Sequence, residues 1–146
     1  QSPVVIRVVL AVALGAALFG IALPSAEHAD RDRAAALAID ELERINATAE
    51  RLAAENDPGE RSDAPPATTI VLDPPEPTFA DPGRFRIDDD ELRWIPANGP
   101  NTTVETAVPV RIDAPTIVAD RTRLRLSLVR LDGEAVVRAR LERARV

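Results

Sequence analysis

The chain has 146 residues, no cysteine, and 24 acidic against 18 basic residues, for a formal net charge of −6. That length leaves room for one small domain, and without cysteine neither disulfides nor thiolate metal sites help hold it together. The acidic balance and an aromatic content of 3% argue against nucleic acid as a partner, which requires a basic surface and stacking side chains.

The basic residues are all arginine, with no lysine. An acidic, lysine-free composition rich in Ala, Val, Asp, Glu and Arg fits a salt-adapted source, where carboxylates keep a surface hydrated under strong screening. Codon bias accounts for it equally well. The charge is uneven: residues 120–146 carry eight Arg against four acids, while the preceding 119 carry ten Arg against twenty. The locally basic end is either a solvated strand face or a contact with an acidic face of a neighbouring copy.

In chain order, Gln1-Ser2-Pro3 is short and polar, with Pro3 where a first helical turn tolerates it. A start at Gln1 rather than Met leads to the expectation that Gln1 is a processed N-terminus. Residues 4–23 then read VVIRVVLAVALGAALFGIAL, in which only Arg7, Gly15 and Gly20 are not Ala, Val, Ile, Leu or Phe. As a helix the run spans about 30 Å, one hydrocarbon thickness.

Its large side chains are Val4, Val5, Ile6, Val8, Val9, Leu10, Val12, Leu14, Leu18, Phe19, Ile21 and Leu23. They run all round the axis without a polar stripe. Leaving them in water costs about 18 to 36 kcal/mol, so the segment belongs in lipid or in the apolar core of an assembly. Pro24-Ser25-Ala26 matches a signal-cleavage site only loosely.

Arg7 at a bilayer centre costs about 2.5 to 3.5 kcal/mol. One turn from the end, it either snorkels to the interface or sets register against the carbonyls of a neighbouring helix. Gly15 and Gly20, flanked by Ala13, Ala16, Ala17 and Ala22, allow close helix approach, although not at GxxxG spacing. Pro24 is expected to kink or interrupt the helix, with Ser25 as a new N-cap and Glu27 in the following turn.

From 25 to 56 the pattern is helical and amphipathic, with Ala35, Ala38, Leu42, Ile45, Ala49 and Leu52 at steps of three and four. Asn56-Asp57-Pro58-Gly59 ends it. Residues 57–67 form a Pro-rich linker, after which the period changes to two. Expected strands are 68–72, 83–87, 91–95, 103–112, 116–119, 121–131 and 134–142, the last two joined by a type I′ turn at Asp132-Gly133.

The organisation is therefore 1–24 apolar helix, 25–56 amphipathic helix, 57–67 linker and 68–146 β domain. The fold class is α+β: a long N-terminal helix followed by a small antiparallel sandwich or sheet. So small a domain is marginal alone, and the stripe from Ala35 to Leu52 is expected to complete its core.

Residues that could carry chemistry are few. His28 is the sole histidine and has no nucleophile motif beside it. Asp88-Asp89-Asp90-Glu91 offers oxygen ligands but lacks the alternate spacing and glycine of a calcium loop, so a solvated turn is the simpler reading. No phosphate loop, zincin motif or nucleophile elbow occurs, and Trp94 reads as core. The expectation is a structural protein with no enzymatic activity, catalytic residue, cofactor or metal. Two N-glycosylation sequons stand out, Asn46-Ala47-Thr48 and Asn101-Thr102-Thr103. Asn101 is the better placed, following Asn98-Gly99-Pro100 in a loop.

The apolar helix, the proline, the amphipathic extension and the small β domain together resemble a type IV pilin or related archaeal filament subunit. The opening Gln1-Ser2-Pro3-Val4-Val5-Ile6 resembles the start of mature haloarchaeal pilins. Arg7 departs from the pattern, which has Gly or an apolar residue there, and leaves major and minor subunits both open. The resemblance implies leader removal before Gln1 by a prepilin peptidase and residence in the cell membrane before assembly. It further implies that pilus assembly machinery extracts the chain into an extracellular homopolymer of identical subunits serving surface attachment. The alternative is a single-pass membrane-anchored binding protein that never polymerises.

Overall fold

A computed structural model describes residues 3–58, 64–77 and 81–142. Helix α1 (Pro3–Glu55) is continuous over 53 residues, about 80 Å at 1.5 Å per residue. The expected interruption at Pro24 is absent, and so is the new cap at Ser25. Proline removes one helical N–H and crowds the carbonyl four residues back, which here belongs to Gly20, and the helix nonetheless continues through it. The Ser25 hydroxyl donates to the Ile21 carbonyl at 3.1 Å, bonding back into the preceding turn instead of capping a new helix.

The second half of α1 buries the stripe Ala34, Ala38, Leu42, Ile45, Ala49 and Leu52. Against it stand two four-stranded sheets. The first has the order β1 (Ala67–Leu72), β7 (Thr122–Leu131), β8 (Glu134–Glu142), β5 (Val110–Ile112). The second has the order β4 (Thr102–Glu105), β3 (Glu91–Pro96), β2 (Gly83–Asp88), β6 (Thr116–Val118). The arrangement is α+β, and α1 touches strands of both sheets. Leu42 and Ile45 share one buried cluster with Leu124, Leu126 and Leu128 of the first sheet and Phe85, Ile87 and Trp94 of the second. The Phe85 and Trp94 rings lie 5.2 Å apart in a tilted pair.

The β7–β8 hairpin is as expected, with Asp132 and Gly133 both at positive φ, 51° and 82°, as a type I′ turn requires. Gly83 opens β2 at φ 135°, and a Cβ there would lie 2.3 Å from the Ile95 carbonyl oxygen, so this position admits no side chain.

The single strand expected over 103–112 is instead two strands in different sheets. Between them the backbone leaves the ladder: the Thr106 N–H donates to the Asp90 carbonyl at 3.2 Å and the Ala107 N–H to Asn46 Oδ1 at 3.0 Å. Pro109 has no N–H to continue a ladder. Strand β5 then pairs with β8 in parallel, whereas the other pairings among the described strands are antiparallel.

The acidic turn between β2 and β3 holds this crossing in place. Asp90, at φ 57°, accepts the Val110 N–H on Oδ1 at 2.8 Å and donates its own N–H to the Val110 carbonyl at 3.0 Å. Asp89 Oδ1 accepts the Ile112 N–H at 2.9 Å. Arg111 Nη1 lies 2.6 Å from Asp90 Oδ2, and that hydrogen bond raises the guanidinium pKa above its ordinary value. A second clamp joins α1 to β1. Arg44 donates to the Val71 carbonyl and pairs with Glu41 at 2.8 Å, while Glu41 Oε2 accepts the Asp73 N–H at 3.2 Å.

Two outcomes are expected from urea titration of the full chain in detergent micelles, followed by the fluorescence of buried Trp94. Leu42→Ala, at a fully buried site shared by the helix and both sheets, lowers the unfolding free energy by about 2 to 5 kcal/mol. Asp90→Ala places a Cβ residue without compensating bonds at positive φ and orphans the Val110 N–H, lowering it by about 1 to 3 kcal/mol.

Candidate functional site

The first half of α1 is the candidate assembly surface. From Val4 to Ile21 its large apolar side chains are 51% to 70% exposed, and no part of the apolar window is buried inside the chain. By length and composition this helix can cross a membrane. Val4, Val5, Ile6, Val8, Val9, Leu10, Val12, Leu14, Leu18, Phe19 and Ile21 are all exposed. Leu23 lies within the same helix, and Gln1 lies outside the described residues.

Arg7 stands one turn inside the helix start, is exposed, and has no ion-pair partner among the described residues. It is therefore available to an interface or to a second molecule. A further pattern escaped the search for GxxxG. At 100° per residue, Ala13, Ala16, Ala17 and Gly20 fall on one face, and Ala11 with Gly15 falls on the opposite one. Both are small-xxx-small arrangements that let helix backbones approach closely. A Cβ at Gly15 or Gly20 would meet nothing within 4 Å, so no contact within the chain requires either glycine. Testing every small residue by helical angle, and not glycine alone, finds these faces in the sequence.

The remaining sequence candidates lie apart from this surface. His28 is exposed on α1 and sits 3.4 Å from Asp32. The carboxylates of 88–91 are engaged within the fold: Asp88 with Arg86 at 3.4 Å, Glu91 with Arg93, and Asp89 and Asp90 with β5. Among the described residues, no group of three or more His, Asp or Glu is placed to hold a metal ion. An open groove of about 390 Å³ between α1 and residues 73–76 is lined by carboxylates, including Glu41, Asp73 and Glu76, together with Arg33 and two prolines.

The two sequons differ sharply. Asn101 is exposed in the loop between β3 and β4, where an enzyme can reach its amide. Asn46 is half-buried inside α1, with Oδ1 accepting the Ala107 N–H. The geometry gives Asn46 a structural role, as the partner that steers the backbone between β4 and β5. Sequence reading missed that role because the two groups are 61 residues apart.

No curated protein and no solved structure matches the chain. The profile of one family, described as a domain of unknown function (DUF7311), matches residues 5–142. That span takes in both the exposed apolar helix and the β domain, and the chain belongs to the DUF7311 family.

Proposed function

We propose that this chain is a structural subunit of an extracellular, type IV pilus-like filament, its N-terminal helices bundling into the core and its β domains forming the sheath. One observation carries the reading: the exposed apolar half of α1 is the same unbroken helix whose other half is built into the β-domain core. A greasy rod rigidly joined to a folded head suits lateral stacking, because packing the rods fixes where the heads lie. The small-residue faces on two sides of the rod allow each helix more than one neighbour.

Before assembly the same segment resides in the cell membrane. Moving from lipid to sibling helices exchanges one apolar environment for another, so the transfer needs little net hydrophobic gain and is reversible by an assembly motor. Arg7 sits at the interface in the membrane and meets carbonyls or a helix terminus of a neighbour in the polymer. The sheath, carrying Asn101, faces the medium and serves surface attachment.

The alternative is a single-pass anchored protein that stays monomeric. It is favoured by the exposure of apolar side chains on every side of the helix, which lipid alone would cover. Electron microscopy of material sheared from cells separates the two: filaments containing the chain support assembly, and recovery only as a detergent-extracted monomer supports the anchor. Gly20→Leu is expected to cut filament yield about tenfold or more by forcing helices apart, while leaving Trp94 fluorescence of the extracted chain unchanged. Glycan occupancy is read from intact mass: Asn101→Gln is expected to lower it by a glycan's mass and Asn46→Gln to leave the glycan in place. An unmodified parent chain refutes the glycosylation reading.

A further inference from the structure

The outer faces of the two sheets are both rich in arginine. On the second sheet, Arg86 stands opposite Arg93 and the two pair with Asp88 and Glu91 along their own strands, which leaves Arg84 with no ion-pair partner among the described residues. On the first, the register places Arg125 directly opposite Arg140, and Arg138 beside Arg111. Like charges directly opposite destabilise a sheet. That register carries two acids, Glu142, 3.8 Å from Arg125, and Glu134 at the turn end of β8 opposite Leu131, and Arg111 is paired with Asp90. Arg123, Arg138 and Arg140 have no ion-pair partner among the described residues. The alternation that buries Leu124, Leu126 and Leu128 against α1 turns these arginines to the side facing away from it.

Directly opposite the buried stripe of α1 lies a ridge of the other sign. At 100° per residue, Ala36, Asp40, Glu43, Ala47, Glu50 and Ala54 share one exposed face. Asp40, Glu43 and Glu50 have no ion-pair partner among the described residues. The three carboxylates extend about 15 Å along the helix. The arginines, from the level of Arg123 to that of Arg138, extend about 14 Å along the strands. Ala47 between the acids, with Ala36 and Ala54 at either end of the ridge, leaves room for guanidinium groups to lie across the helix.

We propose that the outer face of the β1-β7-β8-β5 sheet docks on the exposed Asp40–Glu43–Glu50 ridge of α1 in a second copy of this chain. The two surfaces match in charge and length and occupy different parts of the molecule. The contact is therefore heterologous: each copy offers one surface to the copy ahead and the other to the copy behind, the geometry of an open polymer. The inference deepens the filament reading and rests on it, naming the contact that sets neighbouring heads in register. Desolvated charge pairs of this kind give specificity and orientation more than bulk affinity.

The chain has no native cysteine, so the test is clean. Two differently tagged full-length copies, one Arg138→Cys and the other Glu43→Cys, are co-expressed and treated in the membrane with a short bis-maleimide. The expected result is a mixed-tag cross-linked dimer at about tenfold the level given by Arg84→Cys, on the second sheet, with the same partner. Equal or absent cross-linking from Arg138→Cys overturns the interface. In parallel, the Arg138→Glu/Arg140→Glu variant is expected to lose the cross-link between Arg123→Cys and Glu43→Cys copies. Adding Asp40→Arg and Glu50→Arg to the partner copy is expected to restore it. Loss without restoration assigns the arginine face to some other anionic partner and overturns the proposal. Filaments without the cross-link remove this contact but leave assembly standing, whereas the cross-link without filaments removes the filament reading.

Discussion

The architecture depends on the continuity of α1. A helix carries its hydrogen bonds internally and cannot fold back on itself, so once Ala38, Leu42, Ile45 and Ala49 are buried between the sheets, the course of the preceding thirty or so residues follows. They must project. No described part of the β domain covers them, and the apolar half emerges bare. The pairing of a deeply embedded half with a fully exposed half makes the helix a mechanical connection between a head and whatever surrounds the rod.

The head, in turn, could not close without the helix. Each sheet has only four strands, and several of them are three or four residues long. Their inward side chains meet those of α1 in a single cluster, so the helix supplies apolar surface that a domain of this size lacks by itself. Polar clamps set the register. The Asp89-Asp90 turn of one sheet grips β5 of the other, and the Glu41/Arg44 pair grips the end of β1. In both clamps carboxylates accept backbone N–H groups.

The surface left over is polarised. Among the described residues, Arg123, Arg138 and Arg140 on one sheet face and Asp40, Glu43 and Glu50 on the free side of α1 have no ion-pair partner. In the filament proposed for this chain, the apolar rod would supply close helix packing in the core and these surfaces charge matching among the heads. A filament needs both, since rods alone do not dictate how heads are rotated about the axis.

Local pattern carried much of this. The apolar run, the change to a three-and-four spacing after residue 25, the alternation of Leu124, Leu126 and Leu128 with Arg123 and Arg125, and the Asp132-Gly133 turn all act between residues a few positions apart, so they can be read directly from the chain. What they could not convey was any choice settled by a distant partner. Pro24 looked like a break, yet the helix runs on through it, one missing N–H being a local loss while packing holds the later half. The stretch 103–112 looked like one strand, but Asn46, Pro109 and the Asp90 turn divide it between sheets. Asn46 carried a sequon and the 88–91 acids read as a solvated turn; long-range hydrogen bonds tie both into the fold. Periodicity belongs to the chain, but each backbone N–H finds its partner only when remote segments meet.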